Sequence, residues 1–194
     1  MKEEGCPFIK IYDWMLAPDH HLTGNELLVY AFIHGYSVNG GGWFDSKRSL
    51  AERLKMMPSA VSRALRKLFG EGLITEAIND EGRSALSAVY NDSGPFIVVY
   101  EWMLSRGLPW RELLVYALIY GLCREKKTCY GGRGWIARRL NITNVSKVIT
   151  ALKEKELVWE KRNPSILATK VRTTKERTSR STTTPLAQLT HRYY

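Results

Sequence analysis

The sequence predicts a mainly α-helical protein with small β hairpins (α+β), in which one order of elements occurs twice in tandem. Residues 8–16 return at 96–104 with six of nine positions identical, and residues 22–35 return at 108–121 with nine of fourteen identical. In each copy, apolar residues at helical spacing precede a short hairpin pattern. A repeat of this size indicates a duplicated unit.

The repeat divides the chain into two predicted domains, residues 1–92 and 93–172, followed by a tail at 173–194. The division falls near residues 91–95, whose Asn, Asp, Ser, Gly and Pro are typical of a short linker. The tail is rich in Thr, Ser, Arg and Lys and has few groups to bury. We therefore expect a disordered basic arm there.

Each copy opens with a short apolar strand, at 8–12 and 96–100, followed by an apolar helix predicted over 25–35 and 111–121. Both helices are apolar nearly all round, which a helix exposed on one side would not be. They must therefore pack on the N-terminal strand, on the other copy or on a second chain. We favour packing between the copies over dimerisation.

A glycine-containing loop then leads to a short helix and a longer one whose apolar residues share one face. The residues of that face are Val61, Ala64, Leu65 and Leu68 in the first copy, and Val145, Val148, Ile149 and Leu152 in the second. Two-stranded hairpins are predicted within 72–90 and 157–171. Three helices followed by a hairpin is the order of a winged helix-turn-helix domain, so the predicted fold is two such domains in tandem.

Three residues mark predicted helix starts. Thr23 stands three residues before Glu26, the spacing of a capping box. Pro58 fits the first position of the longer helix in the first copy, where its missing N–H has no cost. In the second copy Thr143 is the expected N-cap of the corresponding helix.

The second helix of a helix-turn-helix pair lies in the DNA major groove, with its N-terminal residues at the base edges. Its exposed side must then carry short hydrogen-bonding groups and cations. The predicted DNA-binding residues of this helix are Ser59, Ser62, Arg63, Arg66 and Lys67 in the first copy, and Asn144, Ser146, Lys147, Thr150 and Lys153 in the second. Arg63 is the first choice for a base contact, because Arg is the usual bidentate partner of guanine.

The alternative is that these residues form the solvated face of a surface helix. The preceding short helix and the following hairpin favour DNA binding, since all three parts occur in order, twice. Further cations complete the predicted surface. They are Lys47, Arg48, Arg133 and Arg138 near the start of the short helix, for phosphate contacts, Arg83 on the first wing, and Lys161 and Arg162 on the second.

The two copies differ in the turn before the longer helix. Leu54 and Val61 are seven residues apart, whereas Leu140 and Val145 are five apart, so the second copy has lost two residues from the turn or from the tip of the helix. Net charge is −2 over residues 1–92 and +9 over 93–172, with +3 in the tail. These differences suggest that the first copy supplies sequence discrimination and the second supplies salt-sensitive affinity.

Other classes of function find little support. We expect neither a cofactor nor a metal site, because Cys123 and Cys129 have no further ligands at metal-binding spacing. The sequence also shows no catalytic grouping of side chains, so the protein is not expected to be an enzyme or to have a small-molecule substrate. The chain has no apolar run of about 20 residues and no signal peptide, which predicts a cytoplasmic protein without a membrane partner. Its three cysteines, an odd number, are expected to stay reduced.

Blocks around residues 12–16, 26–31, 50–54 and 64–74, with their repeats, resemble the tandem winged helix-turn-helix proteins of bacterial plasmids, phages and mobile elements. These include replication initiators, replisome organisers and MarR-like regulators. The resemblance covers residues 7–172 and implies a transcription regulator or replication initiator. This sequence departs from the family pattern at the short turn of the second copy and at Glu156, which stands where the pattern has Gly.

The sequence thus predicts a non-catalytic protein that binds double-stranded DNA as a monomer or homodimer. The alternative from another class is a protein-interaction module, a degenerate winged helix that docks a partner through its apolar first helices. Salt-dependent DNA binding separates the two.

Overall fold

The computed structural model describes residues 7–20, 22, 24–39, 42–78, 83–90, 94–124, 132–160 and 167–169. We refer to residues 7–90 as the first half and to residues 94–169 as the second half. The first half contains β1 (Phe8–Tyr12), two 3₁₀ turns (Asp13–Leu16 and Pro18–His20), α1 (Gly24–Val38), α2 (Lys47–Leu54), α3 (Pro58–Gly70), β2 (Ile74–Ile78) and β3 (Ser84–Ala88). The second half contains β4 (Phe96–Tyr100), α4 (Glu101–Leu104), α5 (Trp110–Arg124), α6 (Gly132–Leu140), α7 (Val145–Glu154), β5 (Val158–Glu160) and β6 (Leu167–Thr169).

The opening strands of the two halves pair with each other. β1 and β4 form an antiparallel two-stranded sheet in which Lys10 lies opposite Val98, its own counterpart in the repeat. Ile11 and Val99 on these strands are completely buried. The two halves therefore share one hydrophobic core, which runs through this sheet.

Contacts across this sheet are reciprocal. The Asp13 backbone N–H donates to the Pro95 carbonyl at 2.9 Å, and the matching Glu101 N–H donates to the Pro7 carbonyl at 3.0 Å. In the same way α2 packs against α4, and α6 packs against the 3₁₀ turn Asp13–Leu16. Reciprocal contacts define an isologous interface, so an approximate two-fold axis relates the halves and passes between Lys10 and Val98.

Matching aromatic clusters support each side of the sheet. Trp14 meets Tyr30 edge-on at 6.0 Å, and Trp102 meets Tyr116 at 6.1 Å with nearly the same angle. Burial raises the pKa of the Tyr116 hydroxyl, against a smaller opposing effect of Arg106. The recurring aromatic residues thus belong to the core or pack against it.

The apolar helices α1 and α5 pack on β1 and β4 and touch each other. This is the expected packing between the copies. Both helices are longer than predicted and pass through Gly35 and Gly121 without ending. The residues beyond these glycines have tertiary partners, such as Trp43 against the Tyr36 ring at 4.9 Å, and packing of this kind outweighs the weak helix propensity of glycine.

The first hairpin is held against α1 through the loop before α2. Trp43 exchanges two backbone hydrogen bonds with Leu86 of β3, at 2.8 and 2.9 Å. This close approach requires Gly42, since its φ is +83° and a Cβ there would lie 2.7 Å from the Leu86 carbonyl oxygen. Ser37 of α1 adds a bridge, because its hydroxyl accepts from the Ala88 N–H at 2.8 Å.

The predictions on the Thr23 capping box, the cysteines and the membrane have different outcomes. Thr23 lies outside the described residues, so its capping box stays a prediction. Cys123 forms no disulfide with a described residue, and the other two cysteines lie outside the described part of the chain. None of the described helices is both long and apolar enough to cross a membrane.

A matched pair of substitutions tests the helix caps. The Ser46 hydroxyl accepts from the Ser49 N–H at 3.1 Å and caps α2. We expect Ser46→Ala to lower the free energy of unfolding by about 1 kcal/mol. Thr143→Ala is the control, because the N-cap of α7 is Asn144 and not Thr143. Its expected change is less than about 0.5 kcal/mol, the usual range for an exposed position. Urea denaturation measures both, and equal losses would contradict this assignment of the caps.

Candidate nucleic-acid interface

The α2–α3 pair has helix-turn-helix geometry. α2 ends at Leu54, Lys55 takes the left-handed conformation with φ of 53°, and α3 begins at Pro58. Pro58 occupies the start of the helix, as predicted. Only three residues separate the two helices, so the second leaves the first at a sharp turn.

α3 presents the predicted faces. Its apolar residues are buried against the core, whereas the five predicted DNA-binding residues are exposed: Ser59, Ser62, Arg63, Arg66 and Lys67. The Lys67 ammonium lies 3.8 Å from the Glu71 carboxylate, and an exposed pair of this kind adds little stability. The whole polar side of α3 is therefore accessible to a ligand, although contact with DNA stays a prediction.

The first turn of α2 also presents predicted DNA-binding residues. Lys47 and Arg48 are exposed there, as a phosphate-contacting pair requires. Arg48 Nε lies 3.3 Å from the Glu52 carboxylate, but both side chains are more than two-thirds exposed. Solvent screening makes such a pair weak, so a phosphate can compete with Glu52 for Arg48.

Charge is concentrated on the helix pairs of both halves. Residues 47–70 carry seven Lys and Arg against one acidic residue, and residues 132–154 carry five against one. Eleven of the twelve acidic residues behind the net charge of −2 in the first copy thus lie outside α2 and α3. Whole-copy net charge therefore does not describe this surface, and the division of labour between the two copies stays a prediction.

The second half has a shorter counterpart of α3. α7 has 10 residues and begins at Val145, whereas α3 has 13 and places the matching Val61 fourth. The loss therefore falls on the helix tip and not on the turn. Thr143 is not the N-cap: Asn144 takes that position in the left-handed conformation, with φ of 60° and no capping hydrogen bond from its side chain. With the first turn missing, a cap at Thr143 has no helix to bind.

The other predicted residues of α7 are differently accessible. Asn144, Ser146, Lys147 and Thr150 are exposed, and Lys153 is half-buried. The Thr150 hydroxyl donates to the Ser146 carbonyl at 3.0 Å, which occupies its proton within the helix. Lys147 is thus the most available cation at the start of this helix.

Arg133 and Arg138 lie at opposite ends of α6. Arg133 is exposed in the first turn of α6, as predicted, but Arg138 lies in the last turn. The prediction that Arg138 is near the helix start is therefore wrong, because α6 runs only from Gly132 to Leu140. At that end its charge complements the negative pole of the helix dipole.

The wings are described in part. Arg83 is exposed immediately before β3, and Ile78 at the end of β2 is 75% exposed. Lys161 and Arg162 of the second wing lie outside the described residues, as does the turn at 163–165.

Sequence reasoning missed two exposed residues in the turn between α2 and α3. They are Lys55 and Met57, the latter 72% exposed beside the tip of α3. No sequence pattern indicated them, because Met57 resembles a core residue and the left-handed conformation of Lys55 is rare for a side chain of this type.

The elements of the first half define a helix-turn-helix unit with a hairpin after its second helix. Residues 20–74 match the family described as helix-turn-helix domain, from the second 3₁₀ turn through α3 to the start of β2. A domain of this family supports a DNA-binding protein. No curated protein matches the chain.

Proposed function

We propose that the chain is a non-catalytic double-stranded DNA-binding protein made of two winged helix-turn-helix units in tandem, with α3 as its principal reading helix. The observation that carries this proposal is the exposed polar and cationic side of α3, on the segment that matches a helix-turn-helix family. The local excess of seven basic residues to one acidic residue over 47–70 supplies the attraction for phosphates.

The approximate two-fold axis predicts the symmetry of the DNA site. Dimeric helix-turn-helix proteins bind inverted repeats, because operator symmetry mirrors protein symmetry. Here one chain contains both related helix pairs, so a monomer serves both half-sites. We propose an inverted repeat in which the half-site under α3 is specified more strongly, since α7 lacks the first turn that meets base edges.

The biological role follows from the arrangement of sites. We propose a cytoplasmic transcription regulator or replication initiator of a mobile element. A single site beside a promoter supports the regulator, and an array of sites supports the initiator. The alternative of a protein-interaction module relied on free apolar first helices, but α1 and α5 are covered by β1, β4 and each other. Burial of that surface favours DNA as the partner.

Salt dependence tests the proposal. Binding of a fluorescent duplex of random sequence, followed by anisotropy between 50 and 200 mM salt, should weaken linearly with log salt, with a slope of about −0.9 per phosphate neutralised. The double variant Lys47→Ala/Arg48→Ala, which removes the two predicted phosphate contacts of α2, should lose about two from the magnitude of that slope. Arg111→Ala, an exposed arginine outside both helix pairs, is the control. Salt-independent binding, or no binding by a folded protein, would contradict DNA binding.

A further inference from the structure

The approximate two-fold axis creates two equivalent seams between the halves. In one seam α6 of the second half packs on the 3₁₀ turn Asp13–Leu16, and in the other α2 of the first half packs on α4. Because the seams are counterparts, any difference between them reflects divergence of the sequence.

The seam at α6 is closed by polar contacts. Arg139 Nη2 lies 3.4 Å from Asp13 Oδ1, and the Asn141 side chain donates to the Leu16 carbonyl at 3.3 Å. Beside it, Arg124 at the end of α5 donates to the Tyr100 hydroxyl and lies 5.6 Å from the centre of its ring. These contacts thus link the two halves across this seam.

The seam at α2 has the same backbone arrangement but different side chains. Arg53 is the counterpart of Arg139, yet it lies 6.0 Å from the Trp43 ring, and Val38 stands where the other half has Arg124. His34 replaces the larger Tyr120. A cavity of about 460 Å³ opens there, lined by Arg53, Glu101 and the end of α1.

The walls of this cavity combine aromatic faces with cations. Phe8, Phe32 and Tyr36 line it, and the first and last of these are exposed to solvent. Lys10 and Arg53 supply two positive charges and Glu101 one negative charge. The volume lies within the range of about 300–1,000 Å³ that is usual for small-molecule sites, which are mostly apolar with a few placed polar groups.

We infer that this cavity is a binding site for a small aromatic carboxylate, whose ring lies among the aromatic side chains and whose charge is met by Arg53 or Lys10. Its occupant would join α2 to α4, as the Arg139–Asp13 pair joins α6 to the opposite half. The ligand then acts as an effector and not as a substrate. Its effect on DNA rests on the proposed function, whereas binding itself does not.

The probe is 2-naphthoate, with 2-naphthamide as its uncharged analogue, titrated against the full chain by calorimetry. We expect saturable 1:1 binding of naphthoate, and weaker binding of the amide. Val38→Arg places the charged side chain of the other half at the mouth of the cavity and should weaken naphthoate binding at least ten-fold. Arg53→Gln should reduce the preference for the charged probe. The control is Val89→Arg, which changes a similarly exposed valine outside the cavity and should leave binding unchanged.

Absence of naphthoate binding at millimolar concentration, or equal binding by wild type and Val38→Arg, overturns the site. Equal effects of Val38→Arg and Val89→Arg also overturn it. In a second measurement, saturating naphthoate should change the affinity for DNA, and DNA should change naphthoate affinity by the same factor, usually about 5–150-fold for coupled sites. Naphthoate binding without any such change overturns the effector role, while failure of DNA binding alone overturns only the proposed function.

Discussion

Arg63→Ala is expected to weaken binding to the preferred DNA site by about 1–3 kcal/mol, and to relax selectivity at one base pair. Arg63 is exposed in the second turn of α3, directly after Ser62 and on the side opposite buried Val61. From there its guanidinium can reach the major-groove edge of guanine, where a bidentate contact discriminates against other bases. Competition between duplexes substituted at each position measures both effects.

Lys147→Ala is the matched comparison, because Lys147 is the counterpart of Arg63 on the shortened α7. It should weaken binding to all sequences alike and reduce the magnitude of the salt slope by about 1. Loss of base selectivity on Lys147→Ala, with none on Arg63→Ala, would reverse the assignment of the reading helix.

Ile11→Ala should lower the free energy of unfolding by about 2–5 kcal/mol, the range for truncating a buried isoleucine. Ile11 is completely buried in β1, where it lies opposite Ile97 in the sheet that joins the halves. Because the core is shared, we expect the whole chain to unfold in one transition, both in wild type and in the variant. Urea denaturation followed by tryptophan fluorescence and by circular dichroism should give coincident curves.

Thr75→Ala is the control for this substitution, since Thr75 is an exposed residue of the hairpin strand β2. Its expected effect is within about 0.5 kcal/mol. Two separate unfolding transitions would show that the halves are independently stable, and similar losses for Ile11→Ala and Thr75→Ala would contradict the role of Ile11 in the shared core.

The order of helices and hairpins could be predicted from the sequence, because the apolar spacing around Val61 and Val145 has a helical period and the repeat doubles the signal. The pairing of β1 with β4 could not. The apolar pattern of residues 8–12 indicates that this short strand is buried, but the pattern contains no information on which strand lies beside it. The two-fold arrangement became evident only from the register of Lys10 with Val98.

The candidate site shows the same division. The exposed side of α3 follows from helical geometry once its buried face is known, so its five residues could be predicted individually. The predictions of an N-cap at Thr143 and of Arg138 near a helix start were wrong. Both depend on where a helix begins, which local sequence determines least well. The cavity was not predictable, since replacing Tyr120 by His34 has a consequence only when the seam around it is known.

We propose that two unequal reading helices, related by a two-fold axis within one chain, bind DNA. Selection of bound duplexes from a random pool by the wild-type chain, followed by sequencing, tests it most directly. The predicted result is an inverted repeat with one strongly and one weakly specified half-site, in which Arg63→Ala relaxes only the strong half. Enrichment of direct repeats, or no enrichment of any sequence, would contradict the claim.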